Sequence, residues 1–328
     1  MGELQREDNT RETDGVPRVP RRPDVVLRLA GGYPLSQIER LIRDVLPILQ
    51  LTKPATVEID LQRLAFVGPT ALTILTAALR RITQAGLLAE NASLYMPRSP
   101  LTRHYLERMD FVRLVTKDAA DWEEDFERRD PVGFRPCQHF AGDEYHLVAA
   151  EMANAVAERC VTDTVARASI RICFDELAEN VLNHADTPLG GFAMAQAWPR
   201  RSEIEVAIVD LGVGIRASLT KNPAYAHIND DLEAVKTALE RRVTGNTTGR
   251  NSGIGLYITR LLLRENGGVL LLRSGRGEVY SGSREEGFGR TNTFPGTIVA
   301  LRARMDHPLD INRVYRELED ADNRDDNA

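Results

Sequence analysis

The sequence predicts two domains: an α/β unit of alternating strands and helices, then an α+β unit in which a largely antiparallel sheet carries helices. Three observations predict it. From Asp24 to about residue 116, short apolar runs of strand character alternate with amphipathic runs of helical period. From Asp143, two helical runs precede a series of strands. Between them, residues 117–142 hold a dense charge run followed by two prolines and two glycines, the composition of a linker.

The bulk properties set limits. A chain of 328 residues, 42% apolar and 27% charged, is long enough for about two domains. Its net charge of -6 argues against broad electrostatic binding to nucleic acid. Cys137, Cys160 and Cys173 are widely separated and form no CxxC, and no signal peptide is evident, so a reduced, cytoplasmic protein is expected. The longest uncharged run, Leu64 to Leu79, holds 16 residues and contains Gly68 and Pro69. A bilayer span needs roughly 20 apolar residues, so no membrane insertion is expected.

Residues 1–22 hold five basic and five acidic side chains and almost nothing apolar, which predicts a disordered arm. Residues 23–116 form the first domain. VVLRLAG reads as a strand, 35–51 as an amphipathic helix and 56–62 as a second strand. A helix over 69–86 opens with Pro69 and closes at Gly86. ASLYM and LTRHYLERM add a strand and a helix.

The second domain, 143–306, opens with a helix over 143–160. A second helix follows, capped by Thr162 or Asp163. At about 100° per residue, Ile170, Phe174, Leu177 and Val181 make its apolar stripe. Glu176, Asn180, Asn183 and His184 make a second stripe at the border of the core, and Asp175 and Glu179 fall toward solvent. A carboxylate able to act as a base and an amide able to ligand a metal are therefore one turn apart on one face. FAMAQAWPR and SEIEVAIVDL form a hairpin-like pair, followed by a long segment, 216–252, a glycine-flanked helix start and the strands GVLLLRSG, EVYSGS and TIVALRAR. The remainder, 307–328, reads as a short helix and an acidic tail.

Residue chemistry at several positions suits a nucleotide, although Asp-x-Gly alone also reads as a tight turn and the later glycines as a plain loop before a helix. Asp210 ends an apolar strand, where an acceptor-only group needs a donor such as a purine amino group. Gly212 and Gly214 would let backbone approach a planar base. Gly253 and Gly255 begin a helix whose amides and dipole favour polyphosphate, and Thr297 can add a hydroxyl near the base. No GxxxxGK[ST] and no strand-GxGxxG-helix occurs. The phosphate device is thus expected in a lid, 216–252, with a helix over 230–243, Gly245 and Gly249, while Lys221 and Arg250 either meet the terminal phosphate or stand as solvated surface charges.

Taken in order, the helix with Glu176 and Asn180, IEVAIVDLGVGI (204–215), NSGIGLYITRLLLRENGG (251–268) and FPGTIVALRAR (294–304) resemble four boxes of the GHKL ATPase superfamily. These are its N box, DxGxGI box, GxGL box and terminal Gly-Thr. The superfamily groups gyrase B, Hsp90, MutL, histidine kinases and anti-sigma kinases. Over 143–306 the resemblance implies a Bergerat α/β sandwich binding ATP and Mg²⁺. It implies Glu176 as the catalytic base and Asn180 as a Mg²⁺ ligand, with Asp210, Gly212, Gly214, Gly245, Gly249, Arg250, Gly253, Gly255 and Thr297 on the nucleotide. His184 is read as orienting or packing.

Over 24–116, IDLQRLAFVGPTAL (59–72) resembles the STAS domain of anti-anti-sigma factors at the place of their regulatory Ser or Thr. Thr70 stands there and is a candidate phosphosite, although Gly68 and Pro69 replace the usual Asp and Ser. The alternative is that Thr70 caps or packs its helix. The two resemblances together imply a regulatory serine/threonine kinase or ATPase in partner switching, with a STAS or sigma-factor-type protein partner. Members of the superfamily often dimerise. A nucleotide-gated interaction module with little turnover is the alternative, and a histidine kinase ranks last because neither His104 nor His146 has an acceptor context.

Overall fold

A computed structural model describes residues 5–6, 22–89, 92–116, 134–160, 164–244, 253–283, 285–307, 309–310, 312–314 and 316. The chain divides into two compact units, Met1–Asp130 and Pro131–Ala328. It is mixed α/β, with a parallel sheet in the first unit and an antiparallel sheet in the second.

In the first unit, β1 (Gln5–Arg6), β2 (Val25–Tyr33), β3 (Val57–Val67) and β4 (Ser93–Tyr95) lie in the order β1-β4-β3-β2, all parallel. β3 buries Val57, Ile59 and Leu61 and leaves Glu58, Asp60 and Gln62 half-buried, the period-two alternation of a strand with one covered face. Helix α1 (Ile38–Leu49) turns Leu41, Ile42, Val45 and Ile48 inward at helical spacing. Helix α2 (Pro69–Gln84) starts where expected, on Pro69 after the extended Gly68. Helices α3 (Pro100–Arg108) and α4 (Phe111–Val115) complete the unit.

The expected disordered arm needs one correction. Gln5 and Arg6 pair with Ser93 and Leu94 through backbone, which requires no apolar side chains. Residues 1–4 and 7–21 of that arm lie outside the described residues.

In the second unit, β5 (Phe134–Phe140), β6 (Gly191–Trp198), β7 (Glu203–Asp210), β8 (Val269–Gly282) and β9 (Glu286–Arg304) lie in the order β5-β6-β7-β9-β8. All neighbours are antiparallel. Ile204, Val206 and Ile208 of β7 join Leu270, Leu272, Val299 and Leu301 in one core with helices α5 (Tyr145–Cys160), α6 (Thr164–His184) and α9 (Gly255–Asn266). Ile170, Phe174, Leu177 and Val181 of α6 all reach it, as their spacing requires.

Four boundaries differ from expectation. Residues 134–140, assigned to the linker, form the edge strand β5 and bury Cys137 and Phe140. Pro136 sits in the register shift between Arg135 and Gln138, where a missing N–H breaks no ladder bond. At the other end, Leu309 and Val314 are buried in the core, and the Leu309 amide donates to the Cys160 carbonyl at 3.1 Å, so the domain runs past 306. The expected strands GVLLLRSG and EVYSGS are one strand, β8, with register shifts around Gly275.

The fourth concerns the lid. Much of 216–252 is anchored: helices α7 (Gly214–Leu219) and α8 (Asp231–Thr237) enclose Leu219, Ile228, Ala234 and Ala238. Asp230 accepts the Leu232 and Glu233 amides and pairs with Arg290, while Asp231 pairs with Arg216 at 2.6 Å. The helix expected over 230–243 stops at Thr237. Residues 245–252, with Gly245, Gly249 and Arg250, lie outside the described residues, as do Thr162 and Asp163. No described helix is long and apolar enough to cross a membrane.

Candidate functional site

Antiparallel pairing of β7 with β9 sets the base of the site, because it puts Asp210 opposite Thr297. Asp210 is buried, 4% exposed, at the end of an apolar strand. Its Oδ1 accepts the Gly212 amide at 2.8 Å, and the Thr297 hydroxyl and amide donate to the same carboxylate. Desolvation outweighs these bonds and raises its pKa from 3.8 to about 6. The sequence alone leaves that donor to a ligand. Here protein donors already meet part of the demand, and a carboxylate with about four acceptor sites has capacity for another.

A cavity opens above this pair. Counting the space that opens to solvent, it holds about 870 Å³. Leu177, Val181, Ile208, Leu219, Leu272 and Val299 form apolar wall, and Glu176, Asn180, Asp210, Ser218, Thr244 and Thr297 bring polar groups to it. Gly214, Gly253 and Gly255 also line it. Helix α6 thus presents Glu176 and Asn180 from one side, while α9 begins at Gly255 on another.

Glu176 Oε2 accepts the Gly255 amide at 2.6 Å. A carboxylate therefore sits on the first turn of α9, where unpaired amides and the helix dipole favour an anion. Asn180 lines the cavity one turn farther along α6. Among the described residues, no group of three or more His, Cys, Asp or Glu could hold a metal ion, so an ion here would rely on Asn180 and on a ligand's own oxygens.

Gly212 has a role different from the expected one. It does not line the cavity, and a Cβ there would lie 2.0 Å from the Ala185 carbonyl oxygen. The Val213 amide donates to that carbonyl at 2.8 Å, so the loop after β7 is clamped to the end of α6. Gly214, as expected, lines the cavity and holds a positive φ of 80°, and Gly296, at φ 93°, is a second such glycine, where a Cβ would meet the Asp210 carbonyl oxygen at 2.2 Å.

Other expected residues lie elsewhere. Lys221 pairs with Asp186 at 3.4 Å, both exposed. His184 is the last residue of α6, and its side chain lies outside the described atoms. Thr70 belongs to the other unit and is completely buried, 0% exposed, which favours the packing role over the phosphosite.

Sequence reasoning missed Ser274. Its Oγ accepts the Ile215 amide and donates to the Gly296 carbonyl, both at 2.8 Å. Its only sequence signal is a polar residue following the apolar run of β8, and its partners become neighbours only through sheet register. Ala185 was also outside the expected set, because the contact it makes is through backbone. A scan against protein-family models finds no match to this chain, and a search of curated proteins finds none either.

Proposed function

We propose that the second unit binds ATP with Mg²⁺ in the manner of the GHKL superfamily, and that the chain is a regulatory serine/threonine kinase or ATPase acting on a protein partner. One observation carries the reading: Glu176, Asn180, Asp210, Gly253, Gly255 and Thr297, drawn from four separate stretches, all face one cavity. Two features fit the ligand. Asp210 is a buried acceptor beside Thr297, suited to a purine amino group. The amide at the start of α9 already takes an anion, the Glu176 carboxylate, where a phosphate oxygen would bind.

When bound, Mg²⁺-ATP supplies a transferable phosphoryl group and the charge neutralisation that its transfer needs. Asn180 offers a side-chain oxygen toward the ion. Asp210 and Thr297 orient the base. Glu176, once off the Gly255 amide, accepts a proton from the attacking hydroxyl or water. The STAS resemblance of the first unit supports a partner-switching role, with a STAS or sigma-factor-type protein as the partner.

The hold of Gly255 on Glu176 favours a second reading, a nucleotide-gated interaction module with little turnover. Incubation with γ-labelled ATP separates the two. Label on protein or released phosphate, lost in Glu176→Ala, supports the enzyme; binding without either supports the module. Absence of any affinity for ATP with Mg²⁺ sinks both.

A further inference from the structure

We infer that Ser274 is the positioning residue that sets adenine selectivity in the cavity, an inference resting on the nucleotide reading above. Ser274 is 3% exposed and lies opposite Thr297 in the β8–β9 register. Its hydroxyl makes one bond in each direction: it accepts the Ile215 amide at 2.8 Å and donates to the Gly296 carbonyl at 2.8 Å. These two partners belong to different backbone segments. Ile215 follows Gly214 at the start of α7, and Gly296 precedes Thr297 on β9.

Both segments line the cavity beside Asp210. Thr297, next to Gly296, pairs with Asp210 in the β7–β9 ladder, and a Cβ built on Gly296 would stand 2.2 Å from the Asp210 carbonyl oxygen, so a shift of this turn reaches Asp210. Gly214 abuts Ser274 itself, since a Cβ built on it would stand 2.7 Å from the serine Oγ. One hydroxyl therefore ties the α7 start to the Gly296–Thr297 turn, beside the Asp210–Thr297 pair that the β7–β9 ladder holds. No phosphate-directed group is involved: Glu176 and Gly255 stand on α6 and α9, and neither hydrogen-bonds Ser274.

The role predicts a specific pattern. Asp210 accepts from a 6-amino purine and repels a 6-oxo purine, so the wild-type protein prefers ATP to inosine triphosphate. Ser274→Ala removes the tie and leaves the Gly296 carbonyl and Ile215 amide to find water or move. The ratio of ATP to inosine triphosphate affinity is expected to fall about tenfold. The ratio of ATP to ADP affinity is expected to stay within about twofold. A generally loosened fold would lower both ratios together.

Calorimetric titration of full-length wild type, Ser274→Ala and Ser274→Cys with the three nucleotides makes the test. Cysteine keeps a weaker donor and acceptor at the position and is expected to fall between, and the hydrogen exchange of the unliganded variants reads the tie independently of nucleotide binding. In the unliganded protein, hydrogen exchange at the Ile215 amide should accelerate in Ser274→Ala. An unchanged base preference overturns the proposal, whether or not Ile215 exchange accelerates. Failure of wild type to bind any of the three, with Ile215 still protected by Ser274, removes the nucleotide reading as well and leaves Ser274 a purely structural tie.

Discussion

Glu176 and Gly255 are joined by a 2.6 Å hydrogen bond across 79 residues of sequence, carboxylate oxygen to helix-start amide. The carboxylate thus occupies an amide that a phosphate oxygen would also seek. Glu176→Gln keeps an acceptor but drops the charge, so it competes less well with phosphate. We expect it to bind ATP roughly tenfold more tightly and to turn it over about 100-fold more slowly. Calorimetry and phosphate release measure the two. An unaltered affinity would mean that the bond is not broken on binding.

Asp210 makes stability depend on pH. Its pKa is raised to about 6 by burial, so above pH 6 the native state holds an ionised carboxylate at a cost of roughly 3 kcal/mol. As pH falls from 6 toward 4, the native state takes up its proton before the unfolded chain does, and that cost disappears. Asp210→Asn lacks the ionisation. It should be about 1–2 kcal/mol more stable than wild type at pH 8, with the difference shrinking toward pH 4, while its affinity for ATP is lost. Denaturant titrations at both pH values decide it.

Asn222 ties the anchored part of the lid segment to its outer end, donating from its amide to the Thr244 carbonyl at 3.1 Å. Asn222→Ala should leave the melting midpoint within a few degrees and speed hydrogen exchange at residues 243 and 244. Uniform acceleration through α8 instead would mean that the segment opens as one body.

Thr70 has no exposed surface in the folded chain. Thr70→Glu would bury a charge and is expected to cost 3 kcal/mol or more, enough to lower expression of folded protein. Acid-stable phosphate at Thr70 in natively folded protein would contradict the burial.

The parts that could be read from sequence are those whose signal is local. Ile170, Phe174, Leu177 and Val181 repeat at helical spacing, and the same spacing carries Glu176 and Asn180 to the cavity rim. Pro69 marks the start of α2. Strand β5 was hidden because Pro136 and the charged residues before it match a linker, while its pairing partner lies more than fifty residues away. Gly212 read as a ligand-facing glycine because nothing nearby in sequence reveals the Ala185 carbonyl behind it. Ser274 was invisible for the same reason: both of its bonds cross the sheet or reach another loop.

The pairing of β7 with β9 has a consequence for biogenesis. Helices α7, α8 and α9 and strand β8 are all synthesised between Asp210 and Thr297, so a growing chain carries β7 with one side of its ladder unfilled until β9 emerges. That delay is long-range and slow to close. Stalled or truncated products expose an apolar strand edge that invites aggregation.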